Sequence, residues 1–184
     1  FEWRKNINAL SENFQVYAID QRGFGLSDKP ENGDFKIPSY IFDLKAFMDA
    51  LELDNVHLVG NSFGGGVAWG AAHNFPERIE SLVLIDSIAY PFDVPLQFEL
   101  LKMPGAGMFL GTFPRFCTNW VLEDLCYHDN SRIDQDTRDG YSAQTYYPEA
   151  RNTMTEFIRE NNPQDYKGTE KLLQEIHIPT LIIW

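Results

Sequence analysis

Apolar residues recur near the start of the chain at Trp3, Ile7, Leu10 and Phe14, spacings of four, three and four that predict a helix. The period then shortens, and residues 15–20, Gln-Val-Tyr-Ala-Ile-Asp, read as a strand. Residues 21–34 carry Gly23, Gly25, Pro30 and the pair Asn32-Gly33, so a loop is expected there. Pro38 suits a first helical turn, and Ile41, Leu44, Met48 and Leu51 mark the buried face of the helix it opens. Val56-His57-Leu58-Val59-Gly60 is a nearly continuous apolar run, the pattern of a strand covered on both faces. A glycine-rich turn, a helix through Phe75 and a second buried strand over 81–86 follow. Strands alternating with helices at this spacing imply right-handed crossovers and a mostly parallel sheet.

After Asp86 the alternation stops. Residues 90–166 read as helical pieces interrupted by prolines and glycines, among them Pro95, Pro104, Gly105, Gly111, Pro114 and Pro148. The stretch is rich in aromatics, including Phe109, Phe113, Phe116, Trp120, Tyr146 and Tyr147. A helix over 168–176 and a buried strand opening at Pro179 close the chain. This divides it into a core (1–86), a helical insertion (87–166) and a return to the core (167–184). A compact domain does not ordinarily stop inside a core strand, so the sequence reads as part of a longer protein.

Composition narrows the class. The 15 Lys and Arg against 27 Asp and Glu give a net charge of −12, with no basic cluster to meet a phosphate backbone, so nucleic acid is not an expected partner. The longest aliphatic run is Leu82 to Ile85, far short of a membrane span. Cys117 and Cys126 are nine apart, which puts them on opposite faces of one helix. With no paired Cys-x-x-Cys and no His-x-x-x-His, neither a disulfide framework nor a zinc site is expected. A reduced, cytoplasmic setting follows as the default.

The candidate chemistry lies at Gly60-Asn61-Ser62-Phe63-Gly64. This is a G-x-S-x-G pattern between a predicted strand and a predicted helix, the context in which it marks a nucleophile elbow. Passing from strand to helix in so few residues strains the central residue and leaves no room for side chains two positions away, hence Gly60 and Gly64. The turn lifts the Ser62 hydroxyl above the C-terminal edge of the sheet, and the Phe63 N–H opens the helix where an oxyanion would form. The plainer alternative is that the glycines serve only a tight turn and Ser62 is a helix cap.

Asp20-Gln21-Arg22-Gly23-Phe24-Gly25, His57-Leu58-Val59-Gly60-Asn61-Ser62-Phe63-Gly64-Gly65, Pro76-Glu77-Arg78-Ile79 and Leu82-Val83-Leu84-Ile85-Asp86 together resemble the α/β-hydrolase superfamily, and among its members those with a helical cap. The resemblance implies a three-layer α/β fold with a mostly parallel sheet. In it residues 3–14 form the first helix, 16–20 the fourth strand, 56–60 the fifth, 82–85 the sixth and 180–184 the seventh. It implies a catalytic acid and histidine beyond Trp184 and a second oxyanion donor before Phe1, so the fragment alone is expected to be inactive.

The four histidines make poor substitutes for that base. His57 should point into a face of the sheet as a buried, satisfied residue, and His73 lies late in the helix after the elbow. His128 sits in the insertion, and His177 precedes a strand at the end opposite the site. Asp86 ends a strand on the catalytic edge, where some relatives place their acid, although a loop-capping role is the simpler reading. Asp20 also ends a predicted strand, with Arg22 close enough for a structural pairing. The aromatic insertion would line an apolar cavity or form its own core. Arg115, Arg132, Arg138 and Arg151 could hold a substrate carboxylate or could be solvated surface.

The function expected is a serine hydrolase of a small, largely apolar carboxylic ester or related acyl compound, needing no metal or organic cofactor. Two alternatives stand beside it. One is a hydrolase of carbon–carbon bonds in ring-fission products of aromatic degradation, and the other is a non-catalytic receptor or scaffold that keeps the fold.

Overall fold

The computed structural model describes residues 1–184 as two compact units, Phe1–Gly33 with Pro95–Ile158, and Asp34–Val94 with Arg159–Trp184.

The unit that carries the G-x-S-x-G turn is a three-stranded parallel sheet with helices. Helix α1 (Ile7–Ser11) belongs to the other unit; here α2 (Ile37–Ala50) leads to β1 (Val56–Asn61), then α3 (Phe63–Asn74) and β2 (Ile79–Ile85). Asp34 starts α2, accepting the Lys36 N–H at 3.1 Å on one carboxylate oxygen and the Ser39 hydroxyl at 2.6 Å on the other. The helix buries Ile37, Tyr40, Ile41 and Met48, whereas Leu51, read as part of the same face, lies just past its end and is 44% exposed. Glu52 and Asn55 adopt positive φ (52° and 55°), reversing the chain into β1.

The sheet order is β1-β2-β3, with β3 (Thr180–Ile183) closing the chain beside β2. Gly60 pairs with Leu84, Asn61 with Ile85, and Ile85 with Ile183, so all three strands end at one edge. The core forms on one face, where Leu82 and Leu84 pack with Met48 of α2 and with Ala68, Trp69 and Ala72 of α3.

Two expectations of burial are corrected here. The β1 run was read as covered on both faces, but Val59 is 43% exposed, because the helices that bury Leu82 and Leu84 cover only one side. The strand after Pro179 forms in parallel with β2, yet every residue of it is exposed because it is the edge strand, hydrogen-bonded on one side.

Between β1 and β2, Arg78 ties the end of α2 to the start of β2. Its guanidinium reaches Asp49 (2.8 Å), Asp54 (2.5 Å) and the Leu53 carbonyl (2.8 Å). The Lys45 ammonium, and after it Arg78, holds the Asp49 carboxyl below its ordinary range. Helix α9 (Thr169–Gln174) follows the last turn of the other segment of this unit and precedes β3.

The other unit is largely helical. The opening amphipathic stretch does not form one helix: a 3₁₀ turn (Glu2–Lys5) and α1 meet at Asn6, and Leu10 and Phe14 remain exposed. Residues 16–20 form no strand, since a strand needs a neighbour to bond to and the sheet contains only β1, β2 and β3. Asp20 instead organises the loop after it, accepting the Leu26 N–H at 3.0 Å on its carboxylate and the Ser27 hydroxyl at 2.5 Å on its carbonyl.

Residues 95–158 fold as the broken helices their prolines and glycines predict: α4 (Leu96–Leu101), α5 (Ala106–Thr112), α6 (Pro114–Val121), a π-helical turn (Leu122–Cys126) and α7 (Gln135–Ser142). Helix α8 (Pro148–Glu160) is the last of them. Asp134 caps α7 by accepting the Thr137 N–H at 2.8 Å. Both cysteines are free, Cys117 buried at the end of one turn of α6 and Cys126 at the end of the π turn.

Candidate active site

Ser62 sits between the last residue of β1 and the first residue of α3, with φ 49° and ψ −116°. A non-glycine residue in that region is strained and persists only where its surroundings fix it. They do so at both of its peptide groups. The Ser62 N–H donates to Ile85 O at 2.9 Å across the sheet, and its carbonyl accepts from Gly65 N (3.0 Å), Gly66 N (3.3 Å) and Ile88 N (3.0 Å). Gly60 is required by close approach: a Cβ there would stand 2.7 Å from the Gly64 carbonyl carbon and from the Gly65 Cα.

The side chain is what distinguishes this turn from a cap. Ser62 occupies the N-cap position of α3, and its hydroxyl makes no capping hydrogen bond to the helix; the residue is exposed at the C-terminal edge of the sheet. Phe63 is the first residue of α3, and its ring stacks edge-on against Tyr40 at 5.1 Å. The helix start adds a partial positive charge at the same place.

Asp86 follows β2 one register step beyond the Asn61–Ile85 pair, at the same sheet edge as Ser62. It too has a positive φ, 43°, and its side chain is exposed. Its N–H donates to Ile183 O at 2.9 Å. The next residues turn back over α3, where Ser87 is buried against Gly65: a Cβ on Gly65 would stand 2.6 Å from that of Ser87.

None of the histidines pairs with the Ser62 hydroxyl. His57, expected to be buried, is instead 45% exposed on the open face of the sheet, where Nδ1 lies 2.8 Å from Ser81 Oγ and Nε2 lies 3.8 Å from Glu80. It is satisfied, as expected, but by polar neighbours on the uncovered side. His73 ends α3 with Glu175 at 3.7 Å, and His177 and His128 are exposed elsewhere.

The four arginines considered for a substrate carboxylate are engaged within their own unit. Arg115 pairs with Asp139, Arg132 with Asp129 (3.5 Å) and Arg138 with Glu123 (2.6 Å). Arg151 donates to the carbonyls of Thr145 (3.0 Å) and Tyr146 (3.1 Å). These partners are not legible in the sequence, because each lies at a separation that only the helix packing or a turn closes.

Residues 2–184 match the family model of the alpha/beta hydrolase fold, and the chain belongs to that family. It is 39% identical over 92 residues to a 2-hydroxy-6-oxo-2,4-heptadienoate hydrolase of Pseudomonas putida, covering 50% of this chain and 33% of that one. A 2-hydroxymuconate semialdehyde hydrolase of Pseudomonas putida is 28% identical over 176 residues, 94% of this chain and 60% of that protein. Among solved structures, a meta-cleavage product hydrolase from Pseudomonas fluorescens IP01 superposes with a TM-score of 0.80 at 26% identity, covering 98% of this chain and 64% of the other. The chain thus spans less than two thirds of the length of each. No helix is long and apolar enough to cross a membrane.

Proposed function

We propose that the protein carrying this chain is a hydrolase in which Ser62 attacks a substrate carbonyl. The observation that carries this is Ser62 itself: the residue is exposed on a backbone held at φ 49°, and its hydroxyl is not used to cap the helix it begins. A residue serving only as a cap would adopt relaxed extended backbone and spend its oxygen on the helix amides. In the proposed reaction Ser62 Oγ bonds to the carbonyl carbon and a histidine downstream of Trp184 takes its proton. The Phe63 N–H donates to the developing oxyanion, a contribution of roughly 3 to 4 kcal/mol per donor. Asp86, exposed at the same edge, is a candidate acid within this chain, with loop capping as its simpler role.

The sequence alone points to a small apolar ester as substrate. The names of the relatives favour the alternative, a ring-fission product of the 2-hydroxy-6-oxo-dienoate kind. Ser62 Oγ would add to its 6-oxo carbon, and the adjacent carbon–carbon bond would break with its electron pair and the proton held by the histidine passing to the dienoate fragment. Water would then release the acyl group from Ser62. The test compares turnover of such a dienoate with that of a short-chain p-nitrophenyl ester in the complete protein. Preference for the dienoate, abolished in Ser62→Ala, supports the reading. Equal turnover of either substrate by Ser62→Ala removes Ser62 from the mechanism.

A further inference from the structure

We propose that Trp69 is a positioning residue for Ser62, acting through Ile88; the inference rests on Ser62 being the nucleophile. Trp69 lies on α3 two turns beyond the elbow, only 5% exposed in the core beneath the sheet. Its indole N–H leaves that core to donate to Ile88 O at 2.8 Å. The N–H of the same Ile88 donates to Ser62 O at 3.0 Å. One residue of the loop after β2 therefore joins the indole to the carbonyl of the nucleophile.

The loop needs such a clamp. It begins with Asp86 at a positive φ of 43°, so strained residues stand abreast on neighbouring strands at the catalytic edge. Ser87 presses on Gly65, and the Ala89 carbonyl is held by the Thr169 hydroxyl, which fixes the loop at its far end. Between these anchors the Ile88 carbonyl accepts from the indole N–H at 2.8 Å and, at the longer distance of 3.3 Å, from the Ser87 hydroxyl, so the indole is the shorter of its two donors. A carbonyl deprived of its shorter donor turns toward the remaining one or water, and the N–H of that residue shifts with it. Ser62 would then lose the one carbonyl partner that comes from outside its own helix, and its strained φ could relax toward the ordinary range. The hydroxyl would remain present but displaced, which slows the chemical step without removing substrate contacts.

The experiment uses the complete protein. Labelling by a fluorophosphonate is resolved into its maximal rate and its half-saturating concentration for wild type, Trp69→Phe and Trp69→Met, neither of which has an N–H to donate. Ile79→Val, in the same core but at the opposite end of β2, is the control for lost packing. Amide hydrogen exchange at Ile88 is measured in wild type. The expected result is a protected Ile88 amide and a maximal labelling rate lowered about tenfold or more in the folded Trp69 variants. Half-saturation stays unchanged there, and Ile79→Val keeps the wild-type rate. A folded Trp69 variant labelled at the wild-type rate overturns the proposal. So does an Ile88 amide in wild type that exchanges like an open loop, even if neither variant folds. Absence of wild-type labelling at Ser62 is a different failure and counts against the nucleophile assignment.

Discussion

Replacing Gly60 by Ala is the smallest change that strikes the elbow without touching its chemistry. A Cβ on Gly60 would lie 2.7 Å from the Gly64 carbonyl carbon and equally close to the Gly65 Cα, all backbone atoms that no rotamer change can move aside. Carbon atoms reach favourable contact at about 3.5 Å, so the first turn of α3 must retreat by roughly 0.8 Å. Overpacking of this kind costs about 1 to 3 kcal/mol of stability. The larger effect falls on rate, because the retreat carries the Phe63 N–H and the Ser62 backbone with it, and a misplacement near 1 Å costs on the order of 10²-fold. Thermal denaturation and fluorophosphonate labelling of the complete protein measure the two separately. The expected result is a modest loss of melting temperature with a disproportionate loss of labelling rate. A Gly60→Ala protein that melts and labels like wild type would show that the elbow is not packed as described.

Other residues make independent predictions. Leu82→Ala, at 1% exposure in the centre of the sheet core, should lose about 2 to 5 kcal/mol in chemical denaturation; a loss within the scatter of surface variants would place the core elsewhere. The Asp49 carboxyl, depressed by Lys45 and Arg78, stabilises the fold above its unfolded pKa, and that contribution disappears as pH falls through the lower folded value. Asp49→Asn should therefore flatten the acid limb of a stability–pH curve, and an unchanged limb contradicts the pairing. Burial, with a smaller push from Asp165, raises the Tyr166 hydroxyl to about 12. Its contribution is complete below the unfolded value near 10 and is lost as pH rises toward the folded one, so Tyr166→Phe should reduce the alkaline fall in stability across that window. An identical fall in the variant would count against the burial.

The sequence disclosed those parts of the molecule that local geometry determines. The G-x-S-x-G turn, the helix opened by Pro38 and the strand over Val56–Asn61 depend on close approach, fixed φ and apolar spacing, and all lie where the pattern puts them. Residues 16–20 have the same apolar spacing and no strand, because pairing depends on a neighbour that the pattern of one segment does not specify. The exposure of His57 and Val59 was hidden for a related reason: a strand read alone does not show whether helices cover one face of its sheet or both. The Trp69–Ile88–Ser62 chain was equally out of sight, since an indole spaced like its core neighbours looks like any other core residue until the loop after β2 folds back on it. The positive φ of Asp86 likewise carried no composition signal, Asp being common both at strand ends and in caps.

The role of Ser62 is tested most directly by where a serine-directed reagent reacts. Treating the complete protein with a fluorophosphonate and mapping the adduct by peptide mass spectrometry should find it on the peptide containing Ser62 and nowhere in Ser62→Ala. Modification of another serine, or an adduct that persists in the Ala variant, would contradict the assignment.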